Sequence, residues 1–306
     1  MLRIHELKLP LDHAEPALRQ AILKRLALSE QTLVSFTVFK RAYDARKTSA
    51  IHLIYTIDAV VKDEAGVLRR LAKDKQIGRT PDMAYRYVAQ APEGVTRPVV
   101  VGLGPCGLFA GLILAEMGFN PIILERGKIV RERTVDTFRF WRKGILNPAS
   151  NAQFGEGGAG TFSDGKLYSQ IKDPRHLGRK VMDEFVKAGA APEILYAAHP
   201  HIGTFKLVKV VENMREQIIA LGSEAVPPLV PLAESPNEGE RYTAIVALGR
   251  IATADNAKPV GPNEAIRVAV IGVRGRGMEH VSSFLRLPES RITTVCDVDL
   301  NVVGRA

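Results

Sequence analysis

A strand, a glycine-rich turn, a helix and a second strand follow one another within residues 98–127, and no other feature restricts the fold as strongly. The apolar run Pro98–Val101 is typical of a buried strand, Leu108–Met117 has the composition of a buried helix, and Pro121–Leu124 predicts a second strand. The turn residues that we assign to ligand binding are Gly102, Gly104, Pro105 and Gly107. The order predicts a Rossmann-type unit in an α/β protein.

Each part of this fingerprint has a physical role. Gly102 permits a tight turn, Gly104 leaves room for a pyrophosphate, and Gly107 allows close packing of helix on strand. The helix N-terminus offers N–H groups to phosphates, and Glu125, 23 residues after Gly102, suits a ribose hydroxyl. The alternative is a glycine-rich turn that binds nothing. Cys106 is either a redox thiol or a small residue facing the helix.

Residues 1–90 predict a small α+β module. Leu2–Leu9 can form a strand, and 14–27 place Leu18, Ile22 and Leu26 on one helical face. Two runs rich in β-branched and aromatic residues and a further helical pattern follow: Leu33–Phe39, Ile51–Val61 and Asp63–Lys75. This β-α-β-β-α order predicts a ferredoxin-like layer, and a linker, Ala91–Arg97, follows it.

A second glycine-rich segment, NAQFGEGGAGTFSDGKLYSQ, has five glycines between Gly155 and Gly165. Backbone N–H groups of such a loop can surround a large anion, although a flexible surface loop fits the composition as well. The residues that we assign to ligand binding here are Gly157, Gly158, Ser163, Asp164 and Lys166. Within 128–203 we predict one helix, Leu177–Ala188, and an amphipathic helix follows at 204–221.

Composition restricts the function classes. The chain has 306 residues, 46% of them hydrophobic, and no apolar run long enough to span a bilayer, so we expect a cytoplasmic protein without a membrane partner. The net charge of +9 is spread along the chain, which favours anionic small molecules over nucleic acid. The two cysteines lie far apart in the sequence, so we predict neither a disulfide nor a zinc site. His199 and His201 are a close pair, but the sequence offers no further metal ligands at suitable distances, so we expect no metal.

Residues 1–223 resemble a bacterial family of uncharacterised FAD-dependent dehydrogenases. KRAYDARKTSAIHLIYTID, the glycine fingerprint, NAQFGEGGAGTFSDGKLYSQI and HPHIGT with the following helix carry the resemblance. It implies a flavoprotein in which Glu125 holds the adenosine ribose and Arg126 and Gly127 complete the ERG motif. It also implies that the segment GEGGAGTFSDGK lies over the FAD. The flavin would supply the electron or hydride transfer. No substrate is implied.

The next segment resembles one HEAT repeat. AVPPLVPLAESPNEGERYTAIVALGRIA would form two helices, with Val226, Leu229, Val230 and Leu232 facing inward from the first. The competing interpretation assigns Ala244–Arg250 to a flavoprotein strand. A single repeat cannot bury its own apolar face. No third sheet strand is convincing after the helix at 204–221.

Residues 266–306 resemble the start of the glucose-fructose oxidoreductase and inositol dehydrogenase family, which implies NAD(P) binding. Val268–Ile271 and Ile292–Cys296 would be strands joined by a helix at Glu279–Arg286. The residues assigned to the cofactor are Gly272, Gly275, Gly277 and Asp297. Arg274 stands where the second glycine of the pattern belongs, which weakens the expectation of close pyrophosphate approach.

We therefore predict an α/β chain with four parts: a small α+β module (1–90), a truncated FAD-binding Rossmann-type domain (91–223), a HEAT-like segment with a linker (224–260) and a partial NAD-type Rossmann unit (261–306). Each family-like piece stops before its later parts, which favours an incomplete or composite chain. The predicted function is FAD-dependent oxidation or reduction of a small molecule. The alternatives are an NAD(P)-binding oxidoreductase fragment and a non-enzymatic scaffold. No catalytic residue is identified.

Overall fold

The computed structural model describes residues 1–47, 50–125, 127–168, 171–226, 266–271 and 290–296. The chain is a mixed α/β protein with antiparallel and parallel sheets. It divides into two compact units, Met1–Tyr85 with Lys166–Ile202 and Arg86–Gly165 with Gly203–Ala306. Residues 166–202, which we predict to lie in the second domain, belong to the first unit.

The helices and strands that the structure describes are, in chain order, β1 (Leu2–Pro10), α1 (Glu15–Leu26), β2 (Leu33–Asp44), β3 (His52–Val61), α2 (Glu64–Arg70), β4 (Ile77–Arg79), β5 (Val99–Val101), α3 (Pro105–Glu116), β6 (Ile122–Leu124), α4 (Val130–Lys143), α5 (Leu177–Lys187), α6 (Thr204–Ala220), β7 (Glu224–Val226), β8 (Ile266–Ile271) and β9 (Ser290–Cys296).

The first unit is built on an antiparallel sheet with the strand order β2-β3-β1-β4. Over residues 1–85 the element order is β-α-β-β-α-β, which contains the predicted series and adds β4; the unit also includes α5. Helix α1 buries Leu18, Ile22 and Leu26, as their spacing predicts. Arg3 and Asp58, paired across β1 and β3, form a buried bidentate ion pair at 2.7 and 2.8 Å. Strand β2 is longer than predicted and continues to Asp44.

The second unit contains a parallel sheet with the order β5-β6-β7. All three residues of β6 are buried, and Gly111 of α3 allows Ile123 to approach the helix, because a Cβ there would overlap the isoleucine side chain. Helix α6 buries one apolar face, which consists of Leu207, Val210, Val211, Met214 and Ile218. The predicted fingerprint elements β5, α3 and β6 are therefore present.

Several expectations need correction. Strand β7 is the third sheet strand that the sequence did not show convincingly, and Val226 lies in it and not in a HEAT-like helix. Helix α4 was not predicted within 128–203. Val101 and Leu221 were expected on buried faces but are 39% and 40% exposed. The rest of the HEAT-like segment and the predicted helix at 279–286 lie outside the described residues.

Candidate functional site: two glycine segments at the end of a parallel sheet

The GxGxxG turn joins β5 to α3 with a backbone that only glycine adopts readily. Gly102 has a φ of +92°, and its N–H donates to the carbonyl of Leu124 at 2.6 Å, which ties the turn to β6. Helix α3 begins at Pro105, and the preceding Gly104 has no side chain that could cap it. The positive end of a 12-residue helix thus lies at the carboxyl end of the sheet.

Gly107 serves packing, because a Cβ there would overlap the carbonyl oxygen of Gly102 and lie 3.5 Å from Cγ1 of Val100. Gly104 differs, since the nearest heavy atom to a Cβ would be the Cα of Gly158, 4.0 Å away. The fold therefore requires glycine at 107 for steric reasons, whereas it leaves open space at 104.

Glu125 follows β6 and binds the turn directly. Its Oε2 accepts a hydrogen bond from the N–H of Leu103 at 2.7 Å, and its Oε1 accepts one from the N–H of Gly127 at 2.8 Å. A carboxylate has about four acceptor positions, so two remain for other donors. The spacing of 23 residues from Gly102 did predict an acid beside the turn, but it did not predict that this acid also holds the turn.

The second glycine segment packs on the first. The N–H of Gly157 donates to the carbonyl of Leu103 at 2.7 Å. Gly158 has a φ of +64°, and a Cβ there would lie 3.2 Å from the Cα of Gly104 and 3.0 Å from Cδ of Pro105. Four residues selected from the sequence in two separate segments, Gly104, Pro105, Gly157 and Gly158, are thus brought together.

The remaining selected residues are placed differently. The Ser163 hydroxyl donates to the carbonyl of Gly160 at 2.7 Å and accepts from the N–H of Gly165 at 3.0 Å, so it stabilises a turn. The carbonyl of Asp164 accepts from the N–H of Gly203 at 3.0 Å. Lys166 belongs to the first unit. The selected residues that lie outside the described part of the chain are Arg126, Gly272, Gly275, Gly277 and Asp297.

The sequence pattern did not reveal the roles of three charged residues at the second glycine segment: Glu156 lies within it, and Arg133 and Arg215 bond to it. Arg133 is fully buried and Glu156 is 1% exposed. Burial lowers the pKa of Arg133 to about 10, which leaves it charged at neutral pH, and burial raises the pKa of Glu156. The available signal was a glutamate inside a glycine run. Arg133 gave no sequence signal, because the residues of α4 have the composition of a polar segment.

Cys106, His199 and His201 lie in separate environments. Cys106 is exposed in the first turn of α3. His199 contacts Tyr168 edge-on with the ring centroids 4.9 Å apart, and His201 pairs with Lys166 in an isolated antiparallel bridge. Among the residues that the structure describes, no three His, Cys, Asp or Glu side chains group as metal ligands would.

Comparisons with known proteins give relatives without a described activity. A family model described as a domain of unknown function, DUF8436, matches residues 1–60. An uncharacterized protein of Clostridium beijerinckii is 43% identical over 224 residues. That alignment covers 73% of this chain and 42% of the relative, so the chain spans less than half of the relative's length. In the described ranges, no helix has both the length and the apolar character needed to cross a membrane.

Proposed function

We propose that residues 98–127 and 151–165 form the ADP-binding part of a Rossmann-type site for FAD, and that the chain is an FAD-dependent oxidoreductase by ancestry. The observation that carries the proposal is the convergence of two glycine-rich segments and one acid, Glu125, at the carboxyl end of a parallel sheet. Ligands of open α/β sheets bind at this edge.

The geometry supports specific roles. The N-terminus of α3 and the backbone of Gly104 would face the pyrophosphate, because a glycine here leaves the space that phosphate oxygens need. The spare acceptor positions of Glu125 would bind ribose hydroxyls. Bound FAD would supply the hydride or electron transfer to a small-molecule partner. The chain's own residues bind and orient the adenosine diphosphate half.

The first experiment is a visible absorption spectrum of the purified protein after incubation with FAD and desalting. Flavin bands that remain with the protein after desalting support the proposal. A colourless protein that also leaves the absorption spectrum of added FAD unchanged contradicts it.

The variant Gly104→Ala tests the site itself. Its Cβ has room in the ligand-free protein, so we expect unchanged unfolding but FAD affinity lowered by about tenfold or more. Gly78→Ala, where a Cβ meets no atom within 4 Å, is the matched control outside the site.

A second candidate function, NAD(P) binding through residues 266–297, is favoured by the parallel pairing of β8 with β9. Parallel neighbours require a crossover connection, and the glycine-rich residues 272–277 fall within it. Retention of NAD in place of FAD would favour this function. A non-enzymatic scaffold remains the proposal if neither nucleotide binds and a protein partner does.

A further inference from the structure

The buried side chain of Arg133 holds the second glycine loop, residues 151–158. The guanidinium of Arg133 donates to three carbonyls of this loop: Asn151 at 2.8 Å, Ala152 at 3.1 Å and Glu156 at 2.6 Å. The ring of Phe162 lies 4.8 Å from its central carbon. Both ends of the loop are therefore fixed to one point of α4.

Glu156 fixes the same loop from within. Its carboxylate accepts from the N–H of Val130, the first residue of α4, at 2.6 Å, and from Nη1 of Arg215 at 2.8 and 2.9 Å. Its own N–H donates to the carbonyl of Lys128 at 3.1 Å. A negative charge at the start of a helix is favourable, so this contact ties the loop to α4 as well as to α6.

The held loop determines the geometry of the candidate site. A Cβ at Gly155 would lie 2.6 Å from Cδ of Arg133, so the arginine passes directly against the loop backbone. Two residues later, Gly157 donates to Leu103 of the fingerprint turn. A shift of the arginine would therefore move Gly157 and Gly158 relative to Gly104.

We propose that Arg133 is a positioning residue for the proposed phosphate site at Gly104, Gly157 and Gly158. It would not touch the ligand but holds the second glycine loop against the fingerprint turn. The inference is based on the proposed function and adds to it the residue that pre-organises the phosphate subsite. A site made of backbone N–H groups binds an anion well only if those groups are already ordered, because ordering them on binding costs affinity.

The test compares Arg133→Met and Arg133→Lys with Arg131→Met. Lysine keeps the positive charge but cannot present a planar fork to three carbonyls. Arg131 lies on the same helix, its side chain is 60% exposed, and its ion-pair partner is Glu212 of α6. For each variant we would measure amide hydrogen exchange of residues 151–158 without ligand, the affinities for ADP and for adenosine, and the unfolding temperature.

We expect both Arg133 variants to exchange these amides at least about tenfold faster and to lose about tenfold or more in ADP affinity, with the adenosine affinity changed less than about twofold. Arg131→Met should match the wild type in the exchange of these amides and in both affinities. A merely structural role would lower both affinities together.

Unchanged amide exchange of residues 151–158 in the Arg133 variants overturns the inference whether or not nucleotide binds. Faster exchange with unchanged ADP affinity overturns it too. If wild-type protein binds no ADP, the proposed function fails, and the positioning role fails with it. Because Arg133→Lys retains the buried charge, it provides the answer if Arg133→Met does not fold.

Discussion

The glycines of the fingerprint act through different atoms, and this predicts different consequences of adding one methyl group. Gly107→Ala would force a Cβ into the carbonyl oxygen of Gly102, which is backbone and cannot rotate away. We expect the free energy of unfolding to fall by about 1–3 kcal/mol, measured by urea denaturation. Gly78→Ala, which meets nothing within 4 Å, should change it by less than about 0.5 kcal/mol. Wild-type stability in Gly107→Ala would contradict this account of close helix–strand packing.

At the same scale, the sequence predicted the placement of those residues whose position depends on near neighbours in the chain. Gly102 and Glu125 directly follow adjacent strands, and Gly107 lies in the first turn of the helix between them, because strand, turn and helix lengths leave little freedom. Ser163 was assigned to the ligand, yet its hydroxyl bonds to the carbonyl of Gly160. Its carbonyl is bonded by the Thr204 hydroxyl at 2.6 Å, a partner 41 residues away that no local pattern shows.

At the scale of elements, α4 was missed because charged and polar residues occupy its buried face. Val130, Arg133 and Thr137 are its buried residues, so hydrophobic periodicity gives no helical signal there. Strand β7 was missed for another reason. It has only three residues and continues into an apolar, proline-containing run that is equally typical of a helical pair. Helices α3 and α6, in contrast, were predicted because packing on apolar surface determines their sequences.

An ion pair between α4 and α6 should make the second unit sensitive to acid. Hydrogen bonds from Arg131 and then Lys209 lower the pKa of Glu212 to about 2 from an ordinary 4.5. A lowered carboxyl pKa contributes stability that is fully present above pH 4.5 and is lost as the pH falls toward 2. Because the Arg131 side chain is 60% exposed, Glu212→Gln should cost no more than about 1 kcal/mol at pH 7.

Urea unfolding at pH 7, 4 and 3 measures this effect. The stability difference between the wild type and Glu212→Gln should shrink at each step below pH 4.5, where the wild-type carboxylate begins to lose its advantage. Arg131→Met should flatten the same pH window, and a double-mutant cycle isolates the coupling between the two side chains. A difference that stays constant from pH 7 to pH 3 would show that the Glu212 carboxylate is not linked to folding through this pair.

At the scale of the whole molecule, the two compact units cross the predicted boundaries, because residues 166–202 pack with the N-terminal sheet. The N–H of Arg41 donates to the carbonyl of Tyr196 at 2.6 Å, and the N–H of Ala198 donates back to the carbonyl of Arg41 at 3.0 Å. These contacts join segments about 155 residues apart, which exceeds the reach of any periodicity in the sequence. The division of the chain into these two units is therefore seen only in the structure.

Which fingerprint binds nucleotide can be decided by competition in the intact chain. The residues gathered around the first turn, Gly104, Gly158 and Glu125, suit phosphate and ribose, and none is assigned to an isoalloxazine ring. Under the proposed function we therefore expect ADP to displace FAD with an affinity within roughly tenfold of that of FAD, because the adenosine diphosphate half would provide most contacts. Fluorescence titration measures both. Glu125→Gln should weaken FAD and ADP together, since it removes a charged ribose acceptor, whereas Asp297→Asn should leave both unchanged. The opposite pattern is a wild type that retains NAD and an Asp297→Asn variant that alone loses it. That pattern would place the nucleotide site at residues 266–297.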